Sequence, residues 1–499
     1  MLCIRKNLFN TSMSLLLLLI PLIMSGCVNY SGIHNKQILA TPAAFQTKKS
    51  LPEKNGPWPD LCWARQFGDP QLLSLIDEAL RDNPQIQAAG ARLDKARALV
   101  SGQNSSLLPH VDFLGVPALE RFSANSYFPP PFGGRWFSQG QVQFNFSYDL
   151  DFWGKNLSLL SQALSQEKAS EAALQASRLM IATSVATTYN ELAYEFALRD
   201  VLLRTVQQRK SLTAVTRRRV DNGLDTDTQL FQAQTQEATA RTLLVNVEGQ
   251  LLITQQQLGI LLGAGPDRGL SITRPQLKAT IAPKLPNNLP LGLLGRRPDI
   301  VAARWQAEAA LYGVKHVKAK FYPDVNLLAN YGYLSLGLDK LFSNASKAVL
   351  VQAAISLPVF DAGALRAELR EQYASLDESI ANYNDTLNQA FGDVAKQLAS
   401  INYIDRQLHE QQLALISAEK AYTLSRKQYS VGLTSQLVVL DTETRYLQEQ
   451  QQRLQLARTR RDLQIALIKA LGGGFNECYL STPRTTATPH CHLNKVLHG

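Results

Sequence analysis

"QYSVGLTSQLVVLD" spans residues 428–441 and interrupts a long helical pattern with one glycine and a short polar cluster. A near copy, "RRVDNGLDTDTQLF", occupies 218–231, with Gly223 and Gly432 lying 209 positions apart. The same offset relates Gly154 to Gly363 and Gly263 to Gly472. Landmarks that share one offset over such a span define an internal repeat, the first thing to seek in so regular a chain. Upstream, "NPQIQAAGARLDKARALV" from 83 aligns with "RPDIVAARWQAEAALYGV" from 297. Pro84 falls on Pro298 and Pro109 on Pro323, an offset of 214. The first copy therefore carries five extra residues between Pro109 and Gly154. "YFPPPFGG" at 127–134 reads as the loop that absorbs them.

Each copy reads helix, strand, loop, strand, long helix, turn, helix. Strands are expected at about 110–123, 140–152, 323–336 and 346–358. In "QVQFNFSYDL" (141–150), Val142, Phe144, Phe146, Tyr148 and Leu150 alternate with polar residues, the period of a half-exposed strand. The strand lengths suit a tilted membrane-spanning strand. From 156 to 222 there is neither proline nor glycine, which predicts roughly 100 Å of helix. Ile181, Val185, Leu192, Phe196, Leu203 and Val206 follow the three-and-four spacing of a packing seam. The helix at 226–262 repeats the seam, with Glu237 and Thr254 interrupting it. The second copy places its helices at 364–430 and 435–471. Helix 84–105 stacked on helix 226–262 would nearly match the long helix, which predicts a coiled-coil cylinder with a small sheet at one end. Thr226 with Gln229 forms a capping-box pattern that restarts the return helix. Four strands cannot close a barrel, and an open edge cannot sit in lipid. A membrane sheet therefore requires several chains, and three would supply twelve strands.

The N-terminus has the marks of export. Arg5 and Lys6 precede the apolar run "MSLLLLLIPLIM" (13–24), which is followed by "SGC". The run is too short to span a bilayer and reads as a signal peptide. "MSGC" (24–27) resembles a bacterial lipobox, implying a covalent lipid on Cys27, and Val28 implies sorting to the outer membrane. The formal charge of +10 is spread along the chain rather than gathered on one face, as a nucleic-acid groove would need. Cys62, Cys478 and Cys491 sit in terminal segments and cannot all pair within one chain. No catalytic constellation emerges among the seven histidines, so an enzyme is not expected, nor a cofactor beyond the lipid. His490, Cys491 and His492 could contact a soft metal, although an exposed tail explains them as well. "LGGGF" (471–475) lacks the lysine of a phosphate loop and reads as a helix terminator. "RRR" (217–219) reads as a solvated helix end.

"FGDPQLLSLIDEAL" at 67, "SYDLDFWGK" at 147, "RRPDIVAA" at 296, "LPVFDAG" at 357, "YSVGLTSQLVVLD" at 429 and "ALGGGF" at 470 together resemble the TolC-like outer membrane factors. The branch they resemble is the NodT-type efflux lipoproteins of resistance-nodulation-division systems. The resemblance implies a mainly α fold with two repeats, and a homotrimer whose twelve-stranded β-barrel continues into a twelve-helix periplasmic α-barrel. It implies an exit duct for an inner-membrane resistance-nodulation-division pump joined through a periplasmic adaptor. A hydrophobic and an aspartate ring at the periplasmic gate would fall on Leu437 and Asp441. Adaptor contacts would fall on Gly223, Leu224, Gly432 and Leu433. The first-copy positions matching the gate are Thr228 and Gln232. The chain then divides into a signal peptide (1–26), a lipidated segment (27–82), a first repeat (83–263), a linker (264–296), a second repeat (297–474) and a tail (475–499). A type I secretion channel and a periplasmic coiled-coil scaffold are the alternatives; the scaffold would leave the alternating strands and the lipobox unexplained.

Overall fold

The computed structural model describes residues 29–480 apart from 48, 52–55, 126–128, 279–285 and 287–288. The signal peptide, Cys27, and His490, Cys491 and His492 lie outside the described residues, as does part of the 127–134 loop. In chain order the elements are α1 (Pro70–Asp82), α2 (Pro84–Ser105), β1 (His110–Arg121), β2 (Trp136–Asp149), α3 (Lys155–Asp221), α4 (Asp227–Leu261) and α5 (Pro266–Leu270). There follow α6 (Leu289–Arg296), α7 (Pro298–Ala319), β3 (Asp324–Leu336), β4 (Lys347–Ser356), α8 (Ala364–Ser430) and α9 (Gln436–Ala470). β2 starts four residues before its expected position because Trp136 already pairs with Arg121. β4 stops at Ser356, two residues before Pro358, which has no N–H to continue a ladder.

The chain divides into two compact units, and α2, α3, α7 and α8 run through both. The first unit holds the sheet, ordered β1-β2-β3-β4 and antiparallel throughout. Its register places Phe113, Phe144, Tyr331 and Val349 in one row across all four strands. Strand side chains alternate, so Val111, Val351 and Ile355 share that face. All seven are exposed. Gln143, Asn145, Asn330 and Gln352 fall on the other face. β1 and β4 are edge strands, and Pro117 is tolerated in β1 for that reason. Exposed aromatics mark both ends of the sheet: Phe132, Trp136 and Phe342 toward the loops, Phe152, Trp153 and Phe360 toward the helices. Below the sheet, Val314 and Val317 of α7, with Phe321 just past its end, pack with Leu369, Tyr373 and Ile380 of α8. Asp151 and Asp361 start the two long helices alike, each accepting from a first-turn N–H, Leu157 and Leu365, at 2.7 Å. The chain at 29–37 is tied to α8. Arg366 donates to Asn29 and Ser31, and the Lys36 and Gln37 N–H groups both donate to Asp377 Oδ1 at 2.8 Å.

In the second unit the helices form a layer in the order α4, α3, α9, α8. Thr254 bonds Glu195 between α4 and α3, Asn190 bonds Asp462 between α3 and α9, and Arg460 bonds Asp405 between α9 and α8. Helices meet end to end in both repeats. Asn83 Nδ2 donates to the Leu261 carbonyl at 2.8 Å, where α4 ends against α2. A Cβ at Gly263 would lie 2.5 Å from the Asp82 carbonyl oxygen, and one at Gly472 would lie 1.8 Å from that of Arg296. Only glycine permits this approach.

The interruptions in the α4 seam are polar contacts: Glu237 pairs with Arg241, and Thr254 donates to Glu195 Oε1 at 2.9 Å. Glu195 is buried, and its other oxygen has no hydrogen-bond partner among the described residues. Burial pushes its carboxyl up to about 7; the repulsion of Glu191 adds to the rise, while the Thr254 bond and the Arg458 charge oppose it. A raised folded pKa stabilises the protonated form. That contribution is full below the unfolded value of 4.5 and is lost as pH rises through about 7. Between pH 5 and pH 8 the α3–α4 contact is expected to lose on the order of 3 kcal/mol. Glu195→Gln should remove this dependence, read as amide-exchange protection of α4 at the two pH values. An unchanged pH profile in the variant would refute the assignment.

Candidate functional site

The paired turns in the second unit have one backbone solution. Gly223 (φ +72°) and Gly432 (φ +78°) adopt the left-handed conformation that ends a helix. The Gly223 N–H donates to the Val220 carbonyl and the Leu224 N–H to that of Arg219, both at 2.8 Å. The Gly432 N–H donates to Tyr429 (3.1 Å) and the Leu433 N–H to Gln428 (2.9 Å), the same pattern 209 residues on. Leu224 and Leu433 are both exposed. The return helices start differently. The Thr226 N–H donates to Gln229 Oε1 at 2.7 Å, the returning half of a capping box. Ser435 has Val438 at the corresponding place and makes no side-chain cap.

The arginine run is not merely solvated. Arg219 bonds Asp225 across the first turn at 2.7 Å and lies over the Tyr429 ring, 5.7 Å from its centroid. It thus joins the first turn to the second hairpin. Burial raises the pKa of the Tyr429 hydroxyl, opposed by the Arg219 charge.

Leu437 and Asp441 share one exposed face of α9, as their spacing requires. Arg445, one turn further, pairs with Asp441 at 3.1 Å and is itself exposed. The first-copy positions Thr228 and Gln232 lie around Phe231 in a shallow groove of about 340 Å³. They present no carboxylate.

The opposite face of α9 carries residues that periodicity did not single out. Arg209 of α3 and Glu443 of α9 form an ion pair at 3.1 Å, with side chains each 4% exposed. Tyr422 of α8 donates to Glu443 (3.4 Å), and Arg209 donates to Thr444 (3.2 Å). Nearer the turns, Gln436 donates to Thr216 at 2.5 Å. The expected α3 seam residues Leu203 and Val206 are only half-buried. Toward the turns the buried line runs instead through Val201, Thr205, Arg209, Thr213 and Thr216. The threonines stay in the helix by returning their hydroxyls to its own carbonyls, such as Thr205 to Val201. The clue available in the sequence was this four-four-three spacing of polar residues, continuing the apolar seam.

No described helix is long and apolar enough to cross a membrane. A profile of the family described as "Outer membrane efflux protein" matches residues 75–264 and 289–473. The chain is 30% identical to the multidrug resistance outer membrane protein MdtQ of Escherichia coli O157:H7 over 465 residues, covering 91% of this chain and 96% of that one. It is 31% identical to the probable efflux pump outer membrane protein TtgC of Pseudomonas putida, over 83% of this chain and 85% of that one. Among solved structures, the outer membrane protein VceC of Vibrio cholerae matches with a TM-score of 0.79 and 35% identity. That match covers 84% of this chain and all of VceC. The outer membrane channel CmeC of Campylobacter jejuni, 21% identical, shares the fold with a TM-score of 0.80 over 90% of this chain and 95% of that one. Both repeats carry the family's pattern and nearly the whole length of its relatives is present, so the chain belongs to the outer membrane efflux protein family, as an outer-membrane channel and not an enzyme.

Proposed function

We propose that three copies of the chain assemble so that their sheets close one twelve-stranded barrel in the outer membrane. The carrying observation is the sheet itself: one continuous apolar face, aromatic ends, and unpaired outer edges on β1 and β4. An exposed apolar face suits lipid, and the edges are satisfied only by other copies. The exposed aromatics at the two ends suit the two membrane interfaces. The helices then line a periplasmic duct that receives drugs, other toxic compounds or metal ions from an inner-membrane resistance-nodulation-division pump and its adaptor.

The two glycine turns, with Leu224 and Leu433 exposed beside them, are the adaptor's contact. Leu437 and Asp441 form the gate, each appearing three times around the axis. A ring of carboxylates there favours cations, and a ring of leucines above or below it obstructs passage. Cys27 carries the lipid. It precedes Asn29 by two residues, and Asn29 is held by Arg366 in the first turn of α8, ten residues past the end of β4.

Purification from outer membranes is expected to give heat-resistant trimers, and monomers alone would refute the barrel. With its pump expressed, deleting the gene should lower tolerance to the pump's substrates, and unaltered tolerance would refute efflux. Cys27→Ser should abolish incorporation of labelled palmitate while leaving trimers detectable. Undiminished labelling would place the lipid elsewhere.

A further inference from the structure

Between α3 and α9 of the second unit, beside the linker that follows α5, lies a pocket of about 170 Å³. Tyr194, Leu454, Ala457 and Leu277 line it together with two cations, Arg274 and Arg461. The surrounding charges are unevenly shared. Arg458 takes two carboxylates, Glu191 and Asp462, and Arg274 takes Asp200 at 2.7 Å. Asp462 is further occupied by Asn190 Nδ2 at 2.9 Å. Arg461 has no carboxylate within ion-pair distance among the described residues, and its hydrogen bond is to Asn190 Oδ1 at 3.2 Å. Burial pulls its pKa down, and the charge of the neighbouring Asp462 opposes this.

A guanidinium presents five donors in a fork that matches a carboxylate. Withdrawing such a charge from water without a counter-ion is costly. Leu277, Leu454 and Ala457 in the wall add a second requirement, since they favour a hydrocarbon group next to the anion. Size sets a third: drug-sized ligands occupy about 300–1,000 Å³, so this pocket is too small for a drug-sized cargo. A single small side chain with its own carboxylate fits all three. We propose that this pocket binds the C-terminal residue of a peptide, with its carboxylate on Arg461 and its apolar side chain against Tyr194 and Leu454. The site lies away from the paired turns and takes a different ligand class from the cargo. It would serve to dock a partner polypeptide on the helical layer.

The test uses the full-length protein in detergent and two probes, N-acetyl-alanyl-leucine and its C-terminal amide, titrated by calorimetry. The acid should bind about tenfold or more tighter than the amide, the gain typical of a charge-assisted bidentate contact. Arg461→Gln should abolish that difference, and Arg461→Lys should keep part of it. Because Arg461 has no carboxylate to lose, both variants should assemble as the parent does, and Arg461→Lys keeps the comparison open if the glutamine form does not. Equal affinity for acid and amide, or an undiminished preference in Arg461→Gln, overturns the proposal. Neither result bears on transport, which is measured separately.

Discussion

Replacing Asp441 with alanine is expected to raise the conductance of the closed channel and to shift its selectivity away from cations, whereas Gln232→Ala leaves both as they were. Leu437, Asp441 and Arg445 follow one another at single-turn spacing on the exposed face of α9. In the proposed trimer they make three stacked rings, with three carboxylates next to three guanidiniums. Within one chain the Asp441–Arg445 pair is exposed on both sides and contributes only about 0.2–1 kcal/mol. Its importance is collective, since alternating charges around an axis hold the α9 helices together. Alanine at 441 leaves three like charges converging, which drives the helices apart and repels cations. A change of about 1 kcal/mol in the local field, the scale of two unit charges 4 Å apart in water, alters cation occupancy about fivefold. Planar-bilayer recordings in a salt gradient read both quantities. Gln232 lies at the matching place in the first repeat but beside Phe231 in a groove without charge. Equal effects of the two substitutions would mean that the repeat, rather than its second copy, forms the gate.

Much of this arrangement was legible because each element obeys a short-range rule. Gly223 and Gly432 sit where a helix must end in the left-handed conformation, and the stretch 156–222, free of glycine and proline, marks the first long helix, which the repeat carries over to the second. The alternation in 141–150 gave the face that Phe144 shares with Tyr331 and Val349. Other features depended on which helix lies beside which, and periodicity within one helix carries no such information. Arg209 looks like a surface residue until Glu443, 234 positions away, is placed against it. Arg219 resembles a solvated helix end for the same reason, since its partner Asp225 and the Tyr429 ring meet it only across the turns. Leu203 and Val206 failed as seam residues because the buried line on α3 drifts around the helix and turns polar. An ideal helix drifts by about 20° per heptad against a strict seven-residue repeat, enough over 67 residues to exchange one face for another.

Arg209→Ala is expected to cost about 3–5 kcal/mol, because it strands the Glu443 carboxylate among buried neighbours. Glu443 would retain Tyr422 as its hydrogen-bond donor but lose its ion-pair partner. Burial already raises the pKa of Glu443, and the Arg209 charge opposes that rise. Removing Arg209 must raise it further, so the variant's α3–α9 contact should be firmer at pH 5 than at pH 8. The sign follows because a raised folded pKa gives stability that is present below the unfolded value and lost as pH rises. Adding Glu443→Gln to Arg209→Ala should flatten that dependence. The pair Arg209→Met with Glu443→Leu should restore the contact, since a buried ion pair replaced by apolar groups of similar volume is often as stable or more so. Hydrogen exchange over residues 205–216 and 436–446 measures each case. The location gives the result its functional meaning. Gln436 to Thr216 and Glu443 to Arg209 bracket Leu437 and Asp441 on the same helix, so these buried contacts hold α9 to α3 where the proposed gate residues project. If the ion pair only packs the helices, the Met–Leu variant will keep a closed channel and Arg209→Ala will leak. If the charges themselves time opening, the Met–Leu variant will be as stable as the parent yet resist opening by the adaptor, and the two recordings separate these outcomes.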